Sequence, residues 1–190
     1  MYNPFSLIGK TILVTGASSG IGRSIAIECS KMGANIILTG RNQERLQETL
    51  LFLQDGKHQY VISDISSEEE IINLVDQLPT LDGCVHSAGI LGLTPIQAIT
   101  KEKIDHIERI NLHAPILLTK HLIKKKKLDK GSSVVFISSA AGIYRVSMAN
   151  ALYAVTKNGL DAFMRSAALE LATKQIRFNS VNPAIIETEA

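Results

Sequence analysis

Thr15-Gly-Ala-Ser-Ser-Gly-Ile-Gly22 is preceded by Lys10-Thr-Ile-Leu-Val-Thr15 and runs into Ile21-Gly-Arg-Ser-Ile-Ala-Ile-Glu28. A β-branched run, a glycine-rich turn and a helical apolar pattern follow one another without a gap, which predicts strand, turn and helix. Glycines in the order Gly-x-x-x-Gly-x-Gly let the backbone turn tightly and let a bulky anion approach, because no Cβ stands in the way. The free N–H groups at the start of the following helix favour phosphate there. Gly16, Ser18, Ser19, Gly20, Ile21 and Gly22 are therefore the first candidate ligand-binding residues.

Working outward, apolar runs and helical patterns alternate. Asn35-Ile-Ile-Leu-Thr39 predicts a second strand, followed by a helix over about residues 42–54 with Leu46, Leu50 and Leu53 on one face. Gln59-Tyr-Val-Ile62 predicts a third strand. Ser66 is expected to cap the next helix, with Glu68, Glu69 and Glu70 in its first turn, and that helix stops before Pro79. Gly83-Cys-Val-His86 predicts strand four. One long helix is expected over about residues 100–127, leaving at Gly131. Val134-Val-Phe-Ile137 predicts strand five, buried on both faces. A helix over about residues 150–173 carries a stripe of Val155, Gly159, Phe163, Ala167 and Leu171, and Ile176-Arg-Phe-Asn-Ser-Val181 predicts strand six. Six strands separated by five helices imply an α/β fold, a doubly wound parallel sheet. Such sheets bind ligands beyond the carboxyl ends of their strands. Functional residues are thus expected just after Thr15, Thr39, Ile62, His86, Ile137 and Val181.

Composition narrows the function. The 190 residues, 45% hydrophobic, suit a single domain over 1–190, and a net charge of +2 argues against nucleic acid as a partner. No apolar run reaches membrane-spanning length and no leader pattern opens the chain, so a soluble cytoplasmic protein with a small-molecule ligand is expected. Cys29 and Cys84 form neither a disulfide framework nor a metal pattern, and the five histidines lack metal-ligand spacing, so no metal is expected. Lys124-Lys-Lys-Lys127 is read as a solvated helix end, where positive charge is favourable.

Tyr153-Ala-Val-Thr-Lys157 follows strand five. A tyrosine and a lysine four apart share a helix face. An ammonium there is expected to lower the phenol pKa from about 10 toward the operating range, as proton exchange with a carbonyl or alcohol oxygen requires. A serine hydroxyl at the strand end could bond the same oxygen. With the residue 15–22 turn, Asp64-Ile65, Ala88-Gly89, Ile110-Asn-Leu112, Ser139, and Asn182-Pro183 with Thr188, the sequence resembles the short-chain dehydrogenase/reductase family along essentially its whole length.

The resemblance implies a Rossmann-type fold and hydride transfer between a nicotinamide cofactor and a secondary alcohol or ketone, a 3-oxoacyl thioester being one such substrate. It implies that Tyr153 exchanges the proton, that Lys157 tunes Tyr153 and holds the nicotinamide ribose, and that Ser139, three residues before Gly142, orients the substrate oxygen. Asn111 is similar to the family asparagine that organises a proton-relay water, the other reading being a helix-interior residue bonded to backbone. Asp64 and Ile65 would face the adenine, Ala88 and Gly89 its ribose, and Pro183 and Thr188 the nicotinamide end. Leu38-Thr-Gly-Arg41-Asn lacks the carboxylate that would bind a ribose 2′-hydroxyl and offers a guanidinium instead, so NADP(H) is preferred over NAD(H). A homo-oligomer, dimer or tetramer, is expected from the family.

Three departures are visible. His86-Ser87 stands where the family has two asparagines, and the imidazole is larger and could titrate. Ala184 replaces a glycine. The sequence stops two residues after Thr188, short of the family's usual last strand and substrate segment, so either the protein is naturally short or a C-terminal part is missing from this chain, and strand six is expected as a sheet edge unless something covers it. A cofactor-binding sensor or interaction protein without turnover is the alternative function.

Overall fold

A computed structural model describes residues 3–188. Six parallel strands, β1 (Thr11–Thr15), β2 (Asn35–Gly40), β3 (Gln59–Ile62), β4 (Leu81–His86), β5 (Leu128–Ile137) and β6 (Arg177–Val181), form one sheet in the order β3-β2-β1-β4-β5-β6. The chain winds outward from β1 through β2 to β3, then returns to the other side of β1 as β4. The switch in strand order lies between β1 and β4, and a crevice opens there at the carboxyl ends. Among the described residues no helix is long and apolar enough to cross a membrane.

The central strands β1, β2 and β4 are buried on both faces because helices cover both. Leu13 points to one side, into a core with Ile37, Leu74, Leu118, Phe136 and Leu160. Its neighbours Ile12 and Val14 point to the other, packing with Ile36, Leu38, Leu46 and Ala26. This two-residue alternation is what the pleat dictates, and each fully buried Leu or Ile contributes about 1.5–3 kcal/mol. Helices α1 (Gly20–Lys31) and α2 (Gln43–Leu51) cover the second face. Helices α3 (Glu68–Gln77), α5 (Ala114–Lys124) and α6 (Ala151–Glu170) cover the first, and α4 (Lys101–Glu108) packs against α6.

The structure corrects four local expectations. Ser67, not Ser66, caps α3, its Oγ accepting from the Glu70 N–H at 3.4 Å. The Ser66 N–H is already engaged by Asp64 Oδ1 at 3.0 Å, which displaces the cap by one residue. The long helix is not uniform: five residues, Arg109–His113, form a π turn between α4 and α5. Nor does it reach Gly131. It ends at Lys124, because Lys126 turns left-handed (φ +53°) and the Lys127 N–H closes back on Leu122 O at 2.8 Å. Gly131 lies inside β5 with φ +90°, where the β4–β5 register shifts. Val155 is 60% exposed and leaves the α6 stripe to Gly159, Phe163, Ala167 and Leu171. The lysine run caps its own surroundings: Lys125 pairs with Asp76, and Lys127 Nζ donates to Leu78 O.

His86 does not titrate in the neutral range. It is buried in β4, stacked on Phe136 with ring centroids 4.8 Å apart, and shares a 3.0 Å hydrogen bond with Thr119 Oγ1. Burial pushes its imidazole down to about 3. Above the unfolded value near 6.5 both states are neutral; below it the unfolded chain takes a proton that the folded chain refuses, so stability falls with pH. Denaturant melts of wild type and His86→Asn are expected to diverge between pH 6 and 4. The wild type should lose up to about 1.4 kcal/mol per pH unit more than the variant. Parallel pH dependences would show that His86 protonates freely when folded.

Candidate active site at the carboxyl ends of the strands

The glycine turn after β1 is built by collision. Gly16 has φ +65°, and a Cβ there would stand 2.7 Å from Ala88 Cα. A Cβ on Gly22 would stand 2.3 Å from Gly16 O, and Gly20 has φ +52°. The turn after β1 is thus pressed against the turn after β4, and Thr15 Oγ1 joins them by accepting from the Ser87 and Ala88 N–H groups, each at 3.1 Å. Helix α1 begins at Gly20 with no side-chain cap from Ser19 and no acidic residue in its first turn, leaving its amides for an anionic ligand. Gly16→Ala is expected to lower Tm by several degrees and weaken dinucleotide binding by about tenfold or more, through the left-handed penalty of about 1–2 kcal/mol plus displacement of Ala88. Gly9→Ala is the control: its φ is +76° but nothing lies within 4 Å. Equal effects of the two variants on dinucleotide binding would remove the Ala88 contact from the argument.

A cavity of about 1310 Å³ runs across all six strand ends. Its wall contains Gly16, Ser18, Ser19, Gly20, Ile21 and Gly22 after β1, Arg41 after β2, Asp64 and Ile65 after β3, and Ala88 and Gly89 after β4. Ser139 from the end of β5, Tyr153 and Lys157 from α6, and Pro183 and Thr188 from the chain after β6 complete it. Asn111 alone of the expected residues stands behind the wall. It is buried in the π turn, its Oδ1 accepting from the Ile90 N–H at 2.8 Å and its Nδ2 donating to Ile90 O at 2.9 Å. The side chain thereby clamps the turn after β4 to the helix, as the backbone-bonded reading anticipated. A Cβ on Gly89 would lie 3.3 Å from both Asn111 Oδ1 and Lys157 Nζ, so Gly89 separates the two.

Tyr153 and Lys157 share a face of α6, yet the ammonium does not act on the phenol as expected. Lys157 Nζ lies 5.7 Å from the Tyr153 ring centroid and donates at 2.7 Å to Ile137 O at the end of β5. Burial pushes the phenol above its ordinary value, opposed by a hydrogen bond with Ser139. The predicted depression is therefore reversed: removal from water outweighs the available partners. Lys157, 4% exposed, is pushed down to about 8 by burial, with Asp161 acting in the opposite direction. Ser139 Oγ accepts from the Ala141 N–H at 3.1 Å, which holds the loop leading toward α6. At neutral pH the mouth offers a protonated phenol, a hydroxyl beside it and a buried cation.

Comparison with known proteins agrees with this geometry. The sequence pattern of the short chain dehydrogenase family matches residues 10–190. The chain belongs to the short-chain dehydrogenase family. It is 36% identical over 183 residues to a 3-oxoacyl-(acyl-carrier-protein) reductase of Rickettsia felis, a match covering 96% of this chain and 75% of the relative. It is 34% identical over 191 residues to an L-xylulose reductase of Caenorhabditis elegans, covering 97% of this chain and 75% of the relative. A solved dehydrogenase/reductase from Sinorhizobium meliloti superposes with a TM-score of 0.88 at 29% identity, over 97% of this chain and 75% of that one. The protein is accordingly an oxidoreductase of the short-chain dehydrogenase type, with the Rossmann-type sheet seen here.

This short-chain dehydrogenase carries site residues that sequence reasoning passed over. Arg45 lines the cavity with Arg41. It stands four residues further on at the start of α2, a helical spacing that was available as a signal. Thr39 Oγ1, Ser87 Oγ and Asn150 Oδ1 are buried and unpartnered among the described residues, and all three residues border the cavity. Thr39 ends a predicted strand and Ser87 follows one, a position that was available as a signal, whereas nothing in the local sequence marks out Asn150. Asp64 lies close enough to Arg41 to feel its charge: burial pushes the carboxyl up, but hydrogen bonds from Ser66 and the Arg41 guanidinium hold it below its ordinary value. Tyr144 is 72% exposed and neither lines the cavity nor covers the core.

Proposed function

We propose that the chain transfers hydride between NADP(H) and a secondary alcohol or ketone. The observation that carries this reading is the convergence of Tyr153, Ser139 and Lys157 on one cavity with the glycine turn at its other end. A dinucleotide fits the residues present: the turn offers close backbone approach and uncapped amides, and Thr39, Ser87 and Asn150 keep polar atoms without partners along the wall. When bound, the nicotinamide supplies or accepts the hydride.

Tyr153, a phenol already protonated at neutral pH and held so more firmly by burial, gives its proton to the carbonyl oxygen as charge develops there. Ser139 donates a hydrogen bond to the same oxygen and fixes its position. Lys157 supplies positive charge near the mouth and bonds to the cofactor ribose, with Asn111 holding the turn that carries Ala88 and Gly89. Arg41 and Arg45 take the 2′-phosphate, which makes NADP(H) the cofactor. Asp64 and Ile65 border the adenine, and Pro183 and Thr188 the nicotinamide end. A 3-oxoacyl thioester is a suitable substrate: the relative from Rickettsia felis is named for one, and Leu91, Ile185 and Ile186 give the cavity an exposed apolar lip that suits an acyl chain. A cytoplasmic homo-oligomer completes the reading.

The test follows NADPH absorbance with 3-oxoacyl thioesters, cyclic ketones and ketoses as substrates. Reduction of at least one class, lost in Tyr153→Phe, supports the enzyme. Tight dinucleotide binding with no turnover across the panel would replace it by a cofactor-binding sensor.

A further inference from the structure

Helix α6 carries a second buried charge behind the reactive pair. Asp161 stands one turn beyond Lys157, is 3% exposed, and lies outside the cavity wall. Its Oδ2 accepts from Asn182 Nδ2 at 3.0 Å, whereas Asp161 Oδ1 and Asn182 Oδ1 are both buried and unpartnered. Asn182 directly follows β6 and begins the segment that brings Pro183 and Thr188 to the cavity. A buried carboxylate with one neutral hydrogen-bond partner is costly unless a positive charge is near. The other elements packed around Lys157 offer only neutral groups. Among the described residues these are Ile137 O at the end of β5, the Ser138 hydroxyl just after it, which donates to Lys157 O, Asn111 from the π turn and Gly89 from the turn after β4. On α6 itself the titratable neighbours are Tyr153, protonated at neutral pH, and Arg165, which is exposed to solvent.

We propose that Asp161 is a positioning residue for the reaction: its buried charge, one helical turn beyond Lys157, favours the ammonium form of that side chain, which Ile137 O holds in place. Its hydrogen bond to Asn182 ties the segment after β6 to the helix that bears Tyr153 and Lys157. Burial pushes Lys157 down, and Asp161 opposes that depression without cancelling it. The inference rests on the proposed function for its catalytic consequence, but its primary readout is independent of turnover.

That readout is the titration of Lys157 by NMR in protein labelled with 13Cε-lysine, assigned by its loss in Lys157→Met. Wild type is expected to titrate near pH 8. Asp161→Asn keeps an acceptor for Asn182 and removes the charge, so the midpoint should move down by about half a unit or more. The alkaline limb of the kcat profile should move with it. Asp161→Glu should return both toward wild type. Asn182→Ala removes the hydrogen bond and leaves the charge: the Lys157 midpoint should hold while the KM for NADPH rises. An unchanged midpoint in Asp161→Asn overturns the proposal. So does a midpoint that falls by about half a unit or more in Asn182→Ala, where the charge is kept, a test that stands even should Asp161→Asn not fold. Loss of Tyr153-dependent turnover with intact lysine titrations would overturn the proposed function and leave the Asp161–Lys157 coupling standing.

Discussion

Tyr153→Phe should lower kcat for carbonyl reduction by about 10³-fold, within the range of about 10²–10⁴ that a positioned general acid supplies, and leave NADPH affinity within about threefold. The change deletes one oxygen from a half-buried ring that packs beside Ser139 and Lys157, so the fold and the dinucleotide-binding turn are untouched. A thousandfold loss corresponds to about 4 kcal/mol of transition-state stabilisation. The residual rate is what Ser139 and bound water can provide. Because burial holds the phenol protonated, wild-type reduction should be flat through neutrality and fall at alkaline pH. The first fall should come near 8, where Lys157 loses its charge, before the phenol itself ionises. Stopped-flow reduction with saturating NADPH checks both points. A Tyr153→Phe enzyme retaining a tenth of wild-type activity would remove the phenol from the chemistry.

Arg41→Asp should reverse cofactor preference, changing the ratio of kcat/KM for NADPH over NADH by about 10²-fold or more. A charge-assisted hydrogen bond to a phosphate contributes about 1.5–3 kcal/mol, which alone is roughly 10- to 100-fold. The new carboxylate adds repulsion toward the 2′-phosphate and an acceptor for a 2′-hydroxyl. Arg45 shares that end of the cavity, so Arg45→Ala should weaken NADPH by a smaller factor and leave NADH nearly unaffected. Steady-state kinetics with both cofactors on the single and double variants tests this. Unchanged selectivity in the double variant would mean that neither guanidinium touches the 2′-phosphate.

The central strands β1, β2 and β4 could be read from the chain because they bury both faces in short apolar runs, and the less buried β3 still matches its expected bounds. The π turn could not. Ile107, Asn111, Ala114 and Leu118 keep a helical rhythm of buried positions through it, so the apolar pattern carries no trace of the altered hydrogen bonding. Adjacent serines before α3 are equal as caps until Asp64 engages one of them. Spacing on α6 placed the Tyr153 and Lys157 side chains on one face. The direction of Lys157 Nζ, however, is set by a carbonyl twenty positions earlier, at Ile137. The same limit explains Asp161: its partner Asn182 is remote in sequence, and only the packing of α6 against β6 joins them.

The main-chain contact between Gly16 and Ala88 bears on how such a scaffold can change over generations. Gly16 cannot acquire bulk without dislodging the Ala88 backbone, so this part of the crevice is a jaw whose two sides are tied through one glycine. Leu91, Ile185 and Ile186 stand instead at the cavity's solvent margin, each more than half exposed. Mutational freedom is thereby concentrated at the rim, and a descendant chain could exchange one carbonyl compound for another there while the machinery beneath stays unaltered.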